Sequence, residues 1–494
     1  MALNSPTYLA FLPLILAVFL LVQVRARATV LLTASLLFYA ALGALELLAA
    51  LFVVTVASYT AGLLIARGQG ARARRWALWL GITADLAVLI ALRFQTPIAE
   101  AVNAVSVALG FPGGSPFPPT LMSVGVSFYA FQGISYLIDL YLEVAEPERH
   151  LGRFALYMSF FPKLLQGPIE RASDLLPQLG TLGKPTYEDL RAGVLTFFWG
   201  LFKKVVVADR LSMFTGAVFS DVQRFQGVPL LIAVVLYSIE IYADFSGYTD
   251  MAIGSARVFG MRLTQNFNRP YSATSVLEFW RRWHISFSRW ILDYIFKPVQ
   301  MGLRSWKTAG TVVALMVTFL ASGVWHGAAW TFVLWGGLHG VYMACSVLTR
   351  STRARLLKAI GMADSRLVRW WRIALVFALV SVAWIFFRAE NLGDAFYIVA
   401  SVATQLPASI APSIADWSHN LLLDQSWREA AVVLVSLMVL VAAGLARSRW
   451  NLHSPELFIQ ASPPWARWVT YHALGFALVI FPAPATRAFI YYQF

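Results

Sequence analysis

Ala321-Ser322-Gly323-Val324-Trp325-His326-Gly327-Ala328-Ala329-Trp330 stands at the centre of an apolar run from Thr308 to Leu348. At about 20 helical residues per crossing, that run is chain enough for two membrane spans, with the glycine-containing Trp325-His326-Gly327 between the halves. A histidine at membrane depth loses hydration and its charged form becomes costly, so an ionisable side chain there is a functional candidate by default. The alternative is a histidine that is hydrogen-bonded packing and nothing more.

The rest of the chain agrees with a membrane reading. Of 494 residues, 59 % are hydrophobic and only 13 % charged, against about 25 % charged in soluble proteins. The expectation is an all-α, polytopic transmembrane bundle of roughly 11–13 spanning or re-entrant helices. A net charge of +14 would suggest nucleic acid in a soluble protein. Here the lysines and arginines fall in short loops between apolar runs, where they set orientation and meet anionic lipid heads, and nucleic acid is not expected as a partner. Tryptophans beside basic residues, as in Trp370-Trp371-Arg372, read as interfacial belts. The single cysteine, Cys345, has no disulfide or metal partner and is expected in the core.

Taken in order, apolar runs begin near Pro6, Thr29, Glu46 and Trp76, and a weaker one spans Ile98 to Phe111. No basic residue precedes the first run and a second follows at once, which argues for a retained span, not a cleaved signal. The basic loop Arg67–Arg75 is cytoplasmic by the positive-inside rule, and so are Arg25 and Arg27; Arg350–Arg372 and Arg447–Arg449 mark later cytoplasmic loops. Both termini are then extracytoplasmic, while the crossing parity between Arg93 and Lys307 stays open. Phe111–Pro119 is a turn-rich break. Ser123, Ser127, Gln132, Ser135 and Asp139 stud the next apolar run and are expected to bond neighbouring helices.

Phe160-Phe161-Pro162-Lys163-Leu164-Leu165-Gln166-Gly167-Pro168-Ile169 reads as a re-entrant or interfacial segment, because its proline and glycine break any ordinary span. Thr186-Tyr187-Glu188-Asp189 opens a helix, and Lys203-Lys204 further along suits an interfacial anchor. Glu240 and Asp244, four apart in an apolar run, share one helix face and are expected to pair with Arg257, Arg262, Arg281 or Arg282. With no internal repeat or soluble region, residues 1–494 read as one membrane domain: peripheral helices to about 112, a motif-bearing core over about 120–348, and C-terminal helices over about 370–494.

Standard nucleophile, zinc and phosphate-loop motifs are missing. His419 and Asp424 match an H-x4-D pattern that is too short to distinguish from chance. A longer set of motifs carries more: Tyr242 to Gly254, Asn266-Phe267-Asn268-Arg269-Pro270-Tyr271, Glu278 to Ser286, Trp325 to Thr331, Val124 to Tyr129, Gln166-Gly167-Pro168-Ile169, and the terminal Phe489 to Phe494. Together, and in their order along the chain, they resemble the membrane-bound O-acyltransferase (MBOAT) family, and within it the bacterial alginate O-acetylation branch. The segment Asp293 to Gly302 departs from that branch's usual Pro-Leu-Gly-Gly turn.

The resemblance implies acyl transfer from a cytoplasmic thioester, acetyl-CoA in this branch, toward the hydroxyls of an extracytoplasmic polysaccharide such as alginate through a partner protein, in the inner membrane. His326 corresponds to the family's catalytic histidine and His284 to a second histidine lining the tunnel. The chemistry is consistent: moving an acyl group from sulfur to a hydroxyl needs a base, neutral imidazole suits that task near pH 7, and no metal is required. Candidates for the oxyanion donors are Trp325 and Asn268, and Asp244 is a candidate in shaping the site. Arg281 and Arg282 either grip the phosphates of coenzyme A or anchor the chain at the interface, and His339, near the end of the motif region, is either part of the site or packing on an apolar helix. Acyl transfer to a lipid, a cell-wall polymer or a small glycan is the alternative within the chemistry; a transporter or export scaffold is the alternative outside it.

Overall fold

Ser5 caps the first helix, α1 (Pro6–Leu21), its hydroxyl accepting from the backbone N–H of Tyr8 at 3.2 Å. This computed structural model describes residues 1–43, 45–109, 125–362, 365–449, 462–484 and Phe489. The break expected at Phe111–Pro119, Ser123, the motif's Val124 and most of the terminal motif lie outside them. By contacts the chain forms two compact units, Met1–Phe198 with Tyr248–Gln265, and Trp199–Gly247 with Asn266–Phe494.

In the first unit α1 and α2 (Val24–Ala40) have 16 and 17 residues, short of a full crossing. Arg27 is not a loop charge: it is buried, lies over the Phe19 ring at 4.9 Å and donates to the Leu182 carbonyl at 3.4 Å. Helices α3 (Leu45–Arg67) and α4 (Ala71–Arg93) are full-length and are followed by α5 (Gln95–Ala108). In α6 (Val126–Tyr141) the polar residues Ser127, Gln132 and Ser135 are buried, but Ser135 donates to the Gln132 carbonyl of its own helix, at 3.0 Å, and not to a neighbouring one. After α7 (Leu151–Ser159), residues 160–167 turn inside the protein, with Lys163 donating to the Gln132 side chain at 2.7 Å. Broken backbone is tolerated at such depth where protein covers it. Beyond α8 (Ala172–Gly180), Thr186 and Asp189 form a reciprocal cap for α9 (Tyr187–Phe202), with bonds of 2.8–3.1 Å.

A π-helical turn, Lys203–Ala208, links α9 to α10 (Asp209–Phe219). Lys203 and Lys204 are buried in it, so neither anchors the chain at an interface. Lys203 donates to Ser246 at 2.9 Å; Lys204 lies 2.7 Å from Asp244 and 2.9 Å from Asp209. Asp244 therefore pairs with a lysine from the π turn and not with the arginines expected, while Arg257 pairs with Asp189 at 2.9 Å. Glu240 accepts from Thr215 at 2.5 Å. Both acids sit on α11 (Val228–Arg257), whose 30 residues exceed one span.

Short helices α12 (Val276–Trp280), α13 (Ile285–Ile291) and α14 (Lys297–Gly302) lead to the hairpin α15 (Lys307–His326) and α16 (Trp330–Leu348). The hairpin closes to backbone contact because two glycines face it: a Cβ on Gly336 would lie 2.3 Å from the Phe319 carbonyl oxygen, and one on Gly323 would lie 2.4 Å from that of Phe332. Cys345 is exposed and not in the core, since α16 buries the opposite stripe through Trp335, His339 and Met343. The chain continues through basic α17 (Arg350–Ala359), α18 (Arg366–Arg388), α19 (Leu392–Ala415), α20 (Trp417–Asn420), α21 (Trp427–Arg449) and α22 (Pro464–Ile480). Among the described residues eight helices are long and apolar enough to cross a membrane: α3, α4, α11, α15, α16, α18, α19 and α21. With no strand among the described residues, the fold is the expected helical bundle.

Candidate active site

The second unit gathers the motif residues around two histidines. Asn266–Asn268 runs beside Arg282–Ile285, with the Asn268 N–H bonded to the Arg282 carbonyl (2.9 Å) and the Ile285 N–H to the Asn266 carbonyl (3.0 Å). The Asn266 side-chain oxygen accepts from the Ser286 N–H (3.1 Å), the Ser286 hydroxyl (3.0 Å) and His284 Nδ1 (3.2 Å). His284 is thereby held at φ 42°, ψ 55°, a left-handed conformation unusual for a residue with a side chain. Such conformations persist where the surroundings over-determine them. With its proton on Nδ1, the ring keeps a lone pair on Nε2. Complete burial lowers its pKa to about 3, so it is neutral.

His326 ends α15 and is 4 % exposed. Trp335 and Phe387 pack edge-on against it at 4.9 and 5.0 Å, and Trp325 lies at 4.6 Å. Gly327 follows because Phe332 fills the space a side chain would take, 2.6 Å from a Cβ there. Phe287, one turn into α13, lies 5.0 Å from the His284 ring, 6.1 Å from His326, and stacks on Trp325 at 4.4 Å. The structure thus brings His326, His284 and Trp325 together. It sets Asn268 beside them only through its backbone, and the side chain that reaches His284 is that of Asn266. Asp244 bonds Lys204, while its neighbour Phe245 packs edge-on against His284 at 4.7 Å.

Arg281 is exposed. Arg282 bonds Glu278 (2.5 Å) and Ser272 (2.7 Å) and lines a cavity of about 1070 Å³. Arg269, Arg369 and Arg372 line the same cavity, facing an apolar wall of Leu437, Leu440, Val441 and Leu445. Helix α18 connects the two features: Arg369 and Arg372 near its start border the cavity, and Phe387 near its end touches His326. At 1.5 Å per residue, Arg372 and Phe387 are about 22 Å apart along the helix. Among the described residues no three His, Cys, Asp or Glu side chains come together as metal ligands. His419 and Asp424 do meet, at 2.8 Å, on the exposed surface.

Residues 148–383 match the profile of the membrane-bound O-acyltransferase family. The chain is 38 % identical over 397 residues to a probable alginate O-acetylase of Azotobacter vinelandii, covering 79 % of this chain and 76 % of that one. The chain belongs to the membrane-bound O-acyltransferase family. It is also 37 % identical over 387 residues to the probable alginate O-acetylase of Pseudomonas aeruginosa (77 % and 71 % of the two chains), and 31 % identical over 432 residues to the peptidoglycan O-acetyltransferase of Helicobacter pylori (80 % and 78 %). This MBOAT protein is accordingly an O-acyltransferase integral to a membrane. Asn266, which opens a motif but is not among its expected site residues, and Phe287, Trp335 and Phe387, which lie outside the motifs, complete the surroundings of its two histidines.

Proposed function

We propose that the protein moves an acetyl group from cytoplasmic acetyl-CoA toward a hydroxyl of an extracytoplasmic polysaccharide, handing it on through an acyl-accepting partner protein, with His326 as general base. The observation that carries this reading is the placement of His326: buried among aromatic rings at the bend between two spanning helices, with a second, neutral histidine sharing the Phe287 ring. Basic α17 supports a cytoplasmic position, at the inner membrane, for the far ends of α16 and α18. The arginine-lined cavity then opens where the donor arrives, and α18 spans from that cavity to His326. Charge-assisted bonds from Arg369, Arg372 and Arg269 suit the phosphates of coenzyme A, and the apolar wall suits its pantetheine arm.

In the reaction, the acceptor hydroxyl oxygen attacks the thioester carbonyl carbon while His326 takes the hydroxyl proton. A C–O bond forms and the C–S bond breaks. The thiolate leaves and receives that proton from the imidazolium, which restores neutral His326. His284 orients groups in the same site. The test is turnover: purified protein given acetyl-CoA and a polysaccharide acceptor, with and without candidate partner proteins, should release free coenzyme A and acetylate the polymer. Folded protein that releases none with any acceptor would hand the chain to the transport reading, and acetylation of a lipid or peptidoglycan alone would replace the polysaccharide.

A further inference from the structure

Three polar atoms deep in the α15–α16 hairpin have no role in the steps above. Ser322 precedes His326 by one turn on α15, and Trp335 and His339 stand one turn apart on α16, where the indole of Trp335 touches His326 at 4.9 Å and His339 at 5.1 Å. All three side chains are at most 1 % exposed. Ser322 Oγ, Trp335 Nε1 and His339 Nε2 are buried without a hydrogen-bond partner. Buried polar groups in folded proteins are overwhelmingly paired, so three orphans in one hairpin beside a reactive histidine need a reason.

Their chemistry is one-sided. An indole N–H is a donor only. His339 Nδ1 accepts the Trp280 Nε1 hydrogen at 3.3 Å, so the His339 proton sits on Nε2 and that atom donates too. A serine hydroxyl can donate as well. Two obligatory donors and a hydroxyl in apolar surroundings match a ligand atom that only accepts, which a carbonyl oxygen does and an ammonium group does not. We propose that Trp335 Nε1 and His339 Nε2, assisted by Ser322, receive the carbonyl oxygen of the acyl donor's thioester. The inference rests on the thioester reading above. As the hydroxyl attacks, electron density moves onto that oxygen, and donors held beside it bind the developing oxyanion more strongly than the ground-state carbonyl. Trp280 never touches the substrate; it is a positioning residue that fixes the tautomer of His339.

The experiment uses full-length protein in detergent and two unreactive thioethers of coenzyme A, S-acetonyl-CoA, which keeps the carbonyl, and S-propyl-CoA, which has a methylene in its place. Wild type should bind the acetonyl compound about tenfold more tightly, and Trp335→Phe should erase that preference and lower kcat about 10²-fold, with any fall in melting temperature owed to the lost ring volume and not to a broken bond, because the N–H removed had no partner. Ser322→Ala, which deletes one oxygen atom, gives the same comparison should Trp335→Phe not fold. Trp280→Phe should weaken the preference without abolishing it. Equal binding of both compounds by wild type, or a preference that survives in Trp335→Phe or Ser322→Ala alongside full turnover, overturns the inference and leaves the coenzyme A donor standing. Binding of neither compound removes the coenzyme A donor itself, and the carbonyl site with it.

Discussion

Phe287 packs against both histidines of the candidate site, its ring centroid 5.0 Å from His284 and 6.1 Å from His326. One side chain on the first turn of α13 thus couples a loop strained at His284 to the end of a spanning helix. The two imidazoles differ in what holds them. His284 is bonded by the Asn266 amide and framed by Phe245, while His326 is caged by Trp325, Trp335 and Phe387. The proposed base sits in the second setting, and the histidine proposed to orient others in the first.

His326→Ala is expected to lower acyl transfer by about 10²- to 10⁴-fold, the usual cost of losing general-base assistance, with the protein still monodisperse on gel filtration. Alanine leaves no unpaired charge and is a good helix former at the end of α15. His284→Ala should cost less. Coenzyme A release at matched protein concentration measures both, and near-wild-type release by His326→Ala would sink the mechanism.

The Lys204 ammonium stands between two carboxylates, Asp209 and Asp244, with all three side chains buried. Lys204→Met should therefore be severe, about 3–5 kcal/mol, because it strands two acids without their shared cation. Asp244→Asn should be much milder, since Lys204 keeps Asp209. Melting curves in detergent give the comparison. Equal losses for the two variants would show that Asp244 matters for something other than this ion network.

Apolar run lengths made the helical bundle legible, and the His326 and His284 motifs marked the candidate site. Three things escaped for physical reasons. In the extended stretch Asn266–Asn268 both asparagines lie two apart and share a pattern, yet Asn266 is buried against His284 while Asn268 is half-exposed; which one reaches the ring depends on the pairing with Arg282–Ile285. The partner of Asp244 was sought among arginines near in sequence, but the π turn at Lys203–Ala208, packed where a Cβ on Gly247 would meet the Gly200 carbonyl oxygen at 2.8 Å, delivers Lys204 instead. Cys345 follows from helix phase, which one apolar residue in a uniformly apolar run does not reveal.

Orientation is open to chemical labelling. In a Cys345→Ser background, Ser351→Cys on basic α17 should resist a membrane-impermeant maleimide added to intact cells, whereas Glu390→Cys, exposed in the turn just beyond α18, should react. The reverse pattern would invert the protein and move the arginine-lined cavity to the wrong face for a cytoplasmic donor.

His284 should make the fold sensitive to acid. Burial holds its pKa near 3 against an ordinary 6.5, so between those values the unfolded chain binds more protons than the folded one. Stability contributed by the neutral ring is full above about pH 6.5 and drains as pH falls, by up to about 1.4 kcal/mol per pH unit. Melting temperature from pH 7.5 to 4.5 should accordingly fall more steeply for wild type than for His284→Asn, which cannot titrate. Parallel curves would mean that the ring is protonated in the fold.

The cavity arginines separate binding from chemistry. Arg369→Gln and Arg372→Gln should each raise KM for acetyl-CoA by about tenfold, the equivalent of about 1.4 kcal/mol and one charge-assisted phosphate contact, with kcat nearly unchanged because both residues lie about 22 Å or more along α18 from the helix end that touches His326. Loss of binding energy made equally in ground and transition states appears in KM alone. Arg281→Gln is the control, since that side chain is exposed and lines no part of the cavity. Arg282 is unsuitable, because its bonds to Glu278 and Ser272 shape the loop that carries His284. If KM for acetyl-CoA is untouched in the Arg369 and Arg372 variants, the donor enters elsewhere. If kcat falls instead, the arginines act on the fold of α18 and not on the phosphates.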